Sequence, residues 1–476
     1  MTRLALSLEL KSWIRDRRLL ALIGALVTTL IVITAWATAS DIGQREAQQA
    51  AAEQARSQWE GRGAANPHGM AHFGDFAFRP TGPLARLDYG VQARLGKVLY
   101  MEGHRQNVPL HDDATRAGPL ARFSRLDAAF LLQVFVPLML VFLGATGLAA
   151  DRQSGRLKLA LVQGISARAV LFGHVLALWT LALLLLIVVI ATSMITAATL
   201  GTDAIPSPGR LAAFSFFYGL FFWVVSGGVV AASVWLRSAR AALLALLVIW
   251  VAATALLPRV SSGLADAVHP LPSQDAFSAA MQASRADGPD GHNPEDAELD
   301  RLRQAMLDEH EVKNVEDLPF NFDGLAMQVD EEFGNQVWDE HFGELRSTLY
   351  SQLNLVGLIA LLNPFQSIDH LSMAVAGTDL AHDMAFQQQA ERYRRGLVEA
   401  LNREHAYGGS KTGDWSWEAG SEFFAALPQF QYAAPHVELS FRSRALEILG
   451  LGLWALLMMM MIRHGADRIE TGTLLC

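Results

Sequence analysis

Residues 128–150 read AAFLLQVFVPLMLVFLGATGLAA, residues 151–168 read DRQSGRLKLALVQGISAR, and residues 169–200 read AVLFGHVLALWTLALLLLIVVIATSMITAATL. Two long apolar runs thus flank a short, mostly basic connector. The first run carries no charge, and the second holds His174 as its only ionisable group. About 20 apolar residues in a helix cross the ~30 Å hydrocarbon core of a bilayer. Lipid offers backbone N–H and C=O groups no partners, so each run must satisfy its own as a helix. The stretch therefore predicts an α-helical polytopic membrane protein.

Working outward, the same pattern recurs at 19–38, 211–236, 239–257 and 444–463, which makes six predicted spans. Composition agrees. Of 476 residues only 18% are charged and 51% are hydrophobic, against roughly 25% charged in a soluble globule. The first run follows 18 residues bearing charges of both signs and lacks a small-residue cleavage site, so it reads as a retained anchor rather than a signal peptide. Ser347 to Leu362 is also apolar, but it is short and runs into Asn363-Pro364. It is expected to pack as a helix against the membrane or in the external domain, not to cross.

Lysine and arginine set the orientation. Residues 1–18 hold Arg3, Lys11, Arg15, Arg17 and Arg18, the connector holds Arg152, Arg156, Lys158 and Arg168, and the turn after the fourth span holds Arg237 and Arg240. These segments are expected in the cytoplasm, with both termini (the tail being 464–476). Two long segments then lie outside, 39–127 and 258–443. Residues 258–444 carry 13 basic and 30 acidic side chains, a net of −17. With −9 overall, no basic face for nucleic acid is implied. The single cysteine, Cys476, excludes an internal disulfide framework and a cysteine-rich metal site.

The external segments read as structured and mostly helical. Asp41 to Arg62 is rich in Ala, Gln and Glu and should continue the first span outward as a helix. Leu84 to Tyr100 suggests a second helix. Phe73, Phe76 and Phe78 are expected to be the apolar anchor of one external domain that joins both segments. His68, His72, His104 and His111 cluster in sequence, and His68 and His72 stand four apart, as zinc ligands on a helix do. Asn66-Pro67 and Gly69 argue against a helix there, so these histidines are expected to bond loop backbone, with no metal. There is no phosphate-binding loop, and no nucleophile beside Glu102 and His104. The run Met458 to Met461 faces all sides of a helix and reads as packing rather than a copper stripe. His174 is an ionisable group within a span and so a possible pathway residue, or simply an interfacial one.

The connector is the sharpest feature. Asp151 and Arg152 close the second span, Gly155 and Gly164 bound about two helical turns, and Arg156, Leu157, Lys158 and Leu161 lie between them. Apolar and basic residues on one short rigid helix suit the transmission of force from a soluble partner. An ordinary interfacial connector accounts for the same composition. Thr2 to Arg18 reads as an amphipathic helix along the inner leaflet.

Several strings carry a family resemblance: NPHGMAHFGDFAFRP (66–80), LDYGVQARLGKVLYMEGHRQN (87–107), DRQSGRLKLALVQGISARAVLFGHVLAL (151–178) and AGTDLAHDMAFQQQAERYRRGLVEALN (376–402). With its spans, the chain resembles ABC-2 type ABC transporter permeases of the DUF3526-like subgroup, which have large external insertions. Such permeases typically show Glu-Arg-Glu-x-Gly-Thr-Leu at the connector. Here Asp151, Arg152, Gly155 and Leu157 keep the pattern, while Gln153 and Arg156 depart from it. The resemblance implies a non-catalytic subunit in a bacterial inner membrane. It implies two separate ATPase subunits that hold ATP and Mg, a second copy or a related permease as partner, contact with membrane lipid, and room for a periplasmic partner. A membrane-anchored sensor would need fewer spans and a cytoplasmic output domain. A membrane-embedded hydrolase would need convergent catalytic groups near the bilayer.

Overall fold

The computed structural model describes residues 2–110, 126–201, 207–236, 238–293 and 295–471. His111, Arg237 and Cys476 lie outside the described residues. Helix α1 (Thr2–Arg15) is followed by α2 (Arg17–Glu60), with Asp16 between them accepting the Arg18 N–H at 2.9 Å as an N-cap. At 1.5 Å per residue, the 44 residues of α2 extend about 66 Å, twice the hydrocarbon thickness. The expected outward continuation of the first span is therefore one unbroken helix.

Next come α3 (Pro67–Phe73), strand β1 (Asp75–Phe78) and strand β2 (Val98–Met101). Then follow α4 (Ala128–Gln153), α5 (Arg156–Val162), α6 (Ala167–Thr199), α7 (Pro208–Trp235) and α8 (Ala239–Val268). Helices α9 (Gln274–Ala286), α10 (Ala297–Glu309), α11 (Phe322–Ala360), α12 (Pro364–Ala376) and α13 (Leu380–Tyr407) build most of the remaining domain. The chain closes with α14 (Ser421–Ala426), α15 (Val437–Ser443) and α16 (Ala445–Glu470). Among the described residues, six helices are long and apolar enough to cross a membrane: α2, α4, α6, α7, α8 and α16. Two run well past their expected ends, α8 to Val268 and α16 to Glu470.

Helix α7 is the centre of the bundle. Its Phe214, Tyr218, Phe221 and Phe222 are fully buried among α4, α6, α12 and α16. Where α7 crosses α16, a side chain at Gly227 would meet Met458, so the two backbones approach closely because a small residue stands there.

The apolar stretch 347–362 is the end of α11. It meets α12 at Asn363-Pro364, and the pair packs among the candidate spans. The Leu361 carbonyl accepts from Trp454 Nε1 of α16 at 3.0 Å, and Ile368, Leu371 and Val375 of α12 join the core of the bundle. Helix α8 carries a π-turn at Ala252–Leu256, just before Pro258. Proline lacks the N–H that would close this turn. Asn363 Nδ2 instead donates to the Ala253 carbonyl at 2.8 Å.

The large domain is made from both long segments. Strands β1 and β2 pair antiparallel, Asp75 opposite Met101 and Phe78 opposite Val98, and lie on α13 through Ala77, Leu99, Met101, Phe386 and Ala390. A second cluster joins Trp59 of α2 to Met70, Leu397, Leu401 and Phe424. The helix expected over 84–100 is absent; a 3-10 turn at Gly90–Arg94 and strand β2 stand there instead, β2 being specified by its pairing with β1.

Candidate functional site

The connector folds as its glycines require. Gly155 and Gly164 have φ of 75° and 85°, left-handed conformations that disfavour any side chain, and they bracket α5. Leu157 is buried in the core of the bundle and Leu161 is half-buried against it. Arg152 turns toward the bundle. Its guanidinium donates to the Val234 and Leu236 carbonyls at 3.1 and 2.6 Å, which caps the C-terminal end of α7. Asp151 accepts from Arg156 at 2.7 Å. The outward face thus comprises Arg156, Lys158, Leu159 and Val162, the last two 58% and 80% exposed. Val162 was not legible as a surface residue, because only the packing of Leu157 fixes the rotation of α5. The connector is also tied to α16, through Arg168 to Asp467 at 2.7 Å and the Ala167 N–H to Glu470 at 3.0 Å.

His174 faces α1. Its Nδ1 bonds the Glu9 carboxylate, so it fastens α1 along α6, where Gly173 lets the Ala5 backbone approach. The three phenylalanines also separate. Phe73 packs on Trp59, with the Arg62 guanidinium 4.0 Å from its ring centre. Phe76 and Phe78 share one face of β1 because strand side chains alternate. Phe76 is 39% exposed, and fully buried Ala77 supplies the core contact instead. The outward pair stacks on itself and on Tyr100, directly opposite Phe76.

The histidines behave differently from expectation. Asn66-Pro67 starts a helix rather than breaking one: the Asn66 side chain accepts the Gly69 N–H at 3.0 Å, and Pro67 sits at the first helical turn. Helix α3 then presents His68 and His72 on one face. His104 joins them from the turn after β2, and His292, more than two hundred residues on, from the loop before α10. One nitrogen of each ring lies within 4.8 Å of all the others. His68 Nε2 stands 3.0 Å from His72 Nε2 and 3.3 Å from His292 Nε2. His68 is buried, and its Nδ1 has no hydrogen-bond partner.

Behind the cluster lies a charged layer. His104 Nδ1 is 2.9 Å from Asp330 Oδ2 and its backbone N–H donates to Glu331. These bonds hold His104 at φ 60°, a left-handed conformation uncommon outside glycine. Arg285 pairs with Asp330, and fully buried Arg394 spans Glu331 and Glu391 at 3.1 and 2.9 Å. Burial and the neighbouring imidazoles push the His68 pKa down to about 3, so His68 is neutral near pH 7. His72 is lowered for the same reasons. Beside the rings opens a cavity of about 570 Å³ lined by His68, His72, His292, Arg303, Asp323 and Trp415.

Residues 276–433 match the model of a family described as a domain of unknown function, DUF3526. The DUF3526 region begins in α9 and ends beyond α14, so it supplies His292, Asp330, Glu331 and Arg394. His68, His72 and His104 come from outside it. No curated protein and no solved structure matches the chain.

Proposed function

We propose that the protein is the membrane permease subunit of an ATP-driven transporter of the ABC-2 kind. It sits in the bacterial inner membrane, with both termini and the connector in the cytoplasm and the large domain in the periplasm. Two separate ATPase subunits bind ATP and Mg, and a second permease, identical or related, completes the assembly. The observation that carries this reading is α5. It is a short helix rigidly keyed between two candidate spans by Leu157 and Arg152, with a basic and apolar face turned away from the bundle. Lys158, Arg156, Leu159 and Val162 form the docking face for the ATPase, and the bonds from Arg152 to α7 and from Arg168 to α16 pass its displacement into the bundle. Isolated surface ion pairs contribute only about 0–1 kcal/mol, so the exposed apolar pair is needed as well as the charges.

The test is Lys158→Glu combined with Val162→Asp, both at exposed positions. The pair of substitutions should abolish co-purification of the ATPase, or uncouple ATP turnover from transport, while the chain still folds and inserts. Wild-type assembly, turnover and transport in this variant would reject α5 as the coupling element.

A further inference from the structure

We propose that His68, His72, His104 and His292 bind one first-row divalent transition cation, best suited to Zn²⁺, and that the ion fastens the loop before α10 to α3 and the turn after β2. The inference is independent of the transport reading.

The spacing is the first argument. A neutral imidazole has one N–H and one lone pair. His68 Nε2 nevertheless stands within hydrogen-bond distance of two other ring nitrogens, at 3.0 and 3.3 Å. One N–H or one lone pair serves one such neighbour well, not both. A central cation serves all of them. With Zn–N bonds of about 2.0–2.1 Å, the nitrogens of a tetrahedral site lie about 3.3–3.4 Å apart.

The second argument is orientation. Metal-bound histidines usually donate their other N–H to a carboxylate, which fixes the tautomer. His104 has that arrangement: Nδ1 faces Asp330 Oδ2 at 2.9 Å, which leaves Nε2 as the ligand atom. Asp330 is itself held by Arg285 and buried. The His292 backbone N–H donates to Asp290 Oδ1 at 3.0 Å, which fixes the loop that carries this ring. His68 is buried while His72 and His292 are exposed, so the site has a fixed floor and an open side for entry.

The third is chemistry. Four imidazoles suit Zn²⁺, Cu²⁺ or Ni²⁺ rather than Ca²⁺ or Mg²⁺, which take oxygen ligands. Four protein nitrogens fill a tetrahedral shell and leave no position for a reacting water, the pattern of a structural zinc site.

The full chain, purified in detergent with a tag free of histidine and stripped with chelator, is titrated with Zn²⁺ against a chromophoric competitor. One tight equivalent per chain is expected, with a raised unfolding temperature. His72→Ala and His292→Ala, both at exposed positions, should each weaken binding at least about tenfold, and Asp330→Asn, which reaches the ion through His104 and also loosens the Arg285 pair, about 10–100-fold. Zn²⁺ absorption spectroscopy should report a nitrogen-only shell of four at about 2.0 Å. Co²⁺ loaded into the wild-type chain should give the intense visible bands of a tetrahedral nitrogen site, a readout that does not depend on any variant folding. Absence of a tight equivalent, absence of those bands, or unchanged affinity in the His72→Ala, His292→Ala double variant would each overturn the site.

Discussion

Arg394 heads the large fully buried side chains among the described residues, and its surroundings explain how a guanidinium is tolerated there. It donates to Glu391 at 2.9 Å, to Glu331 at 3.1 Å, to Asn335 at 2.7 Å and to the Glu102 carbonyl at 3.2 Å, and it lies 4.8 Å from the Trp338 ring centre. Every part of the planar fork has a partner, which an ammonium cannot reproduce. Removing it takes the guanidinium from buried Glu331, while Glu391 keeps Arg395 at 2.8 Å. Arg394→Met should therefore cost about 3–5 kcal/mol, and Arg394→Lys should recover little of it. Thermal unfolding in detergent, followed at Trp338 and its neighbours, reads both. A loss below 1 kcal/mol in Arg394→Met would mean that the network is not closed as described. His104 depends on the same network, because Glu331 serves both residues.

At the scale of elements, α13 begins with a cap that also receives the start of α16. Asp379 accepts from the His382 ring at 2.6 Å and from Arg444 at 3.1 Å. Arg444 continues to Glu447, which His370 bonds at 3.0 Å, so α12, α13 and α16 are joined by one buried polar chain. Burial alone would raise the Asp379 pKa, but the His382 contact and the Arg444 charge bring it to about 2. A carboxylate whose folded pKa lies below its unfolded value of 3.8 stabilises the fold above that value. The contribution is expected to drain away as pH falls from about 4 toward 2. Asp379→Asn should be less stable than wild type at pH 7, with the difference shrinking across that window. A difference that stays constant from pH 7 to pH 2 would contradict the assignment.

For the whole molecule, the long helices matter most. Helices α2 and α11 each pass without a break from the bundle into the large domain, so that domain is seated on rigid rods rather than on linkers. Trp59 stands near the far end of α2, packs on Phe73 and Phe424, and donates Nε1 to the Phe424 carbonyl at 3.3 Å. It is the point where the first rod meets both sequence segments. Trp59→Ala should cost about 3–5 kcal/mol and should open the domain to limited proteolysis near residues 415–430 while the bundle stays protected. Unchanged cleavage would show that the segments associate without this contact.

The six long apolar helices, the continuation of α2 beyond its apolar run and the bracketed connector were legible in the sequence, because each rests on a local property: apolar length, helix propensity, or a glycine where φ must be positive. The match of 276–433 to DUF3526 agrees with the subgroup seen in the strings 376–402. What a residue faces was not legible. The sequence signals of Arg152, Leu157 and His174 are the same whether they point outward or inward, and only the neighbours α7 and α1 decide. Phe76 and Phe78 are apolar by composition, yet pairing with β2 assigns the buried face to Ala77. Asn66-Pro67 reads equally as a turn or as a helix start until Asn66 is seen to cap α3. The histidine cluster needed most from the tertiary structure. His292 is more than two hundred residues from His68, and no local rule of spacing reaches that far. The chain brings them together only because Asp330 and Glu331 on α11 hold the His104 turn, and Arg285 holds the Pro289 carbonyl at 3.0 Å beside them.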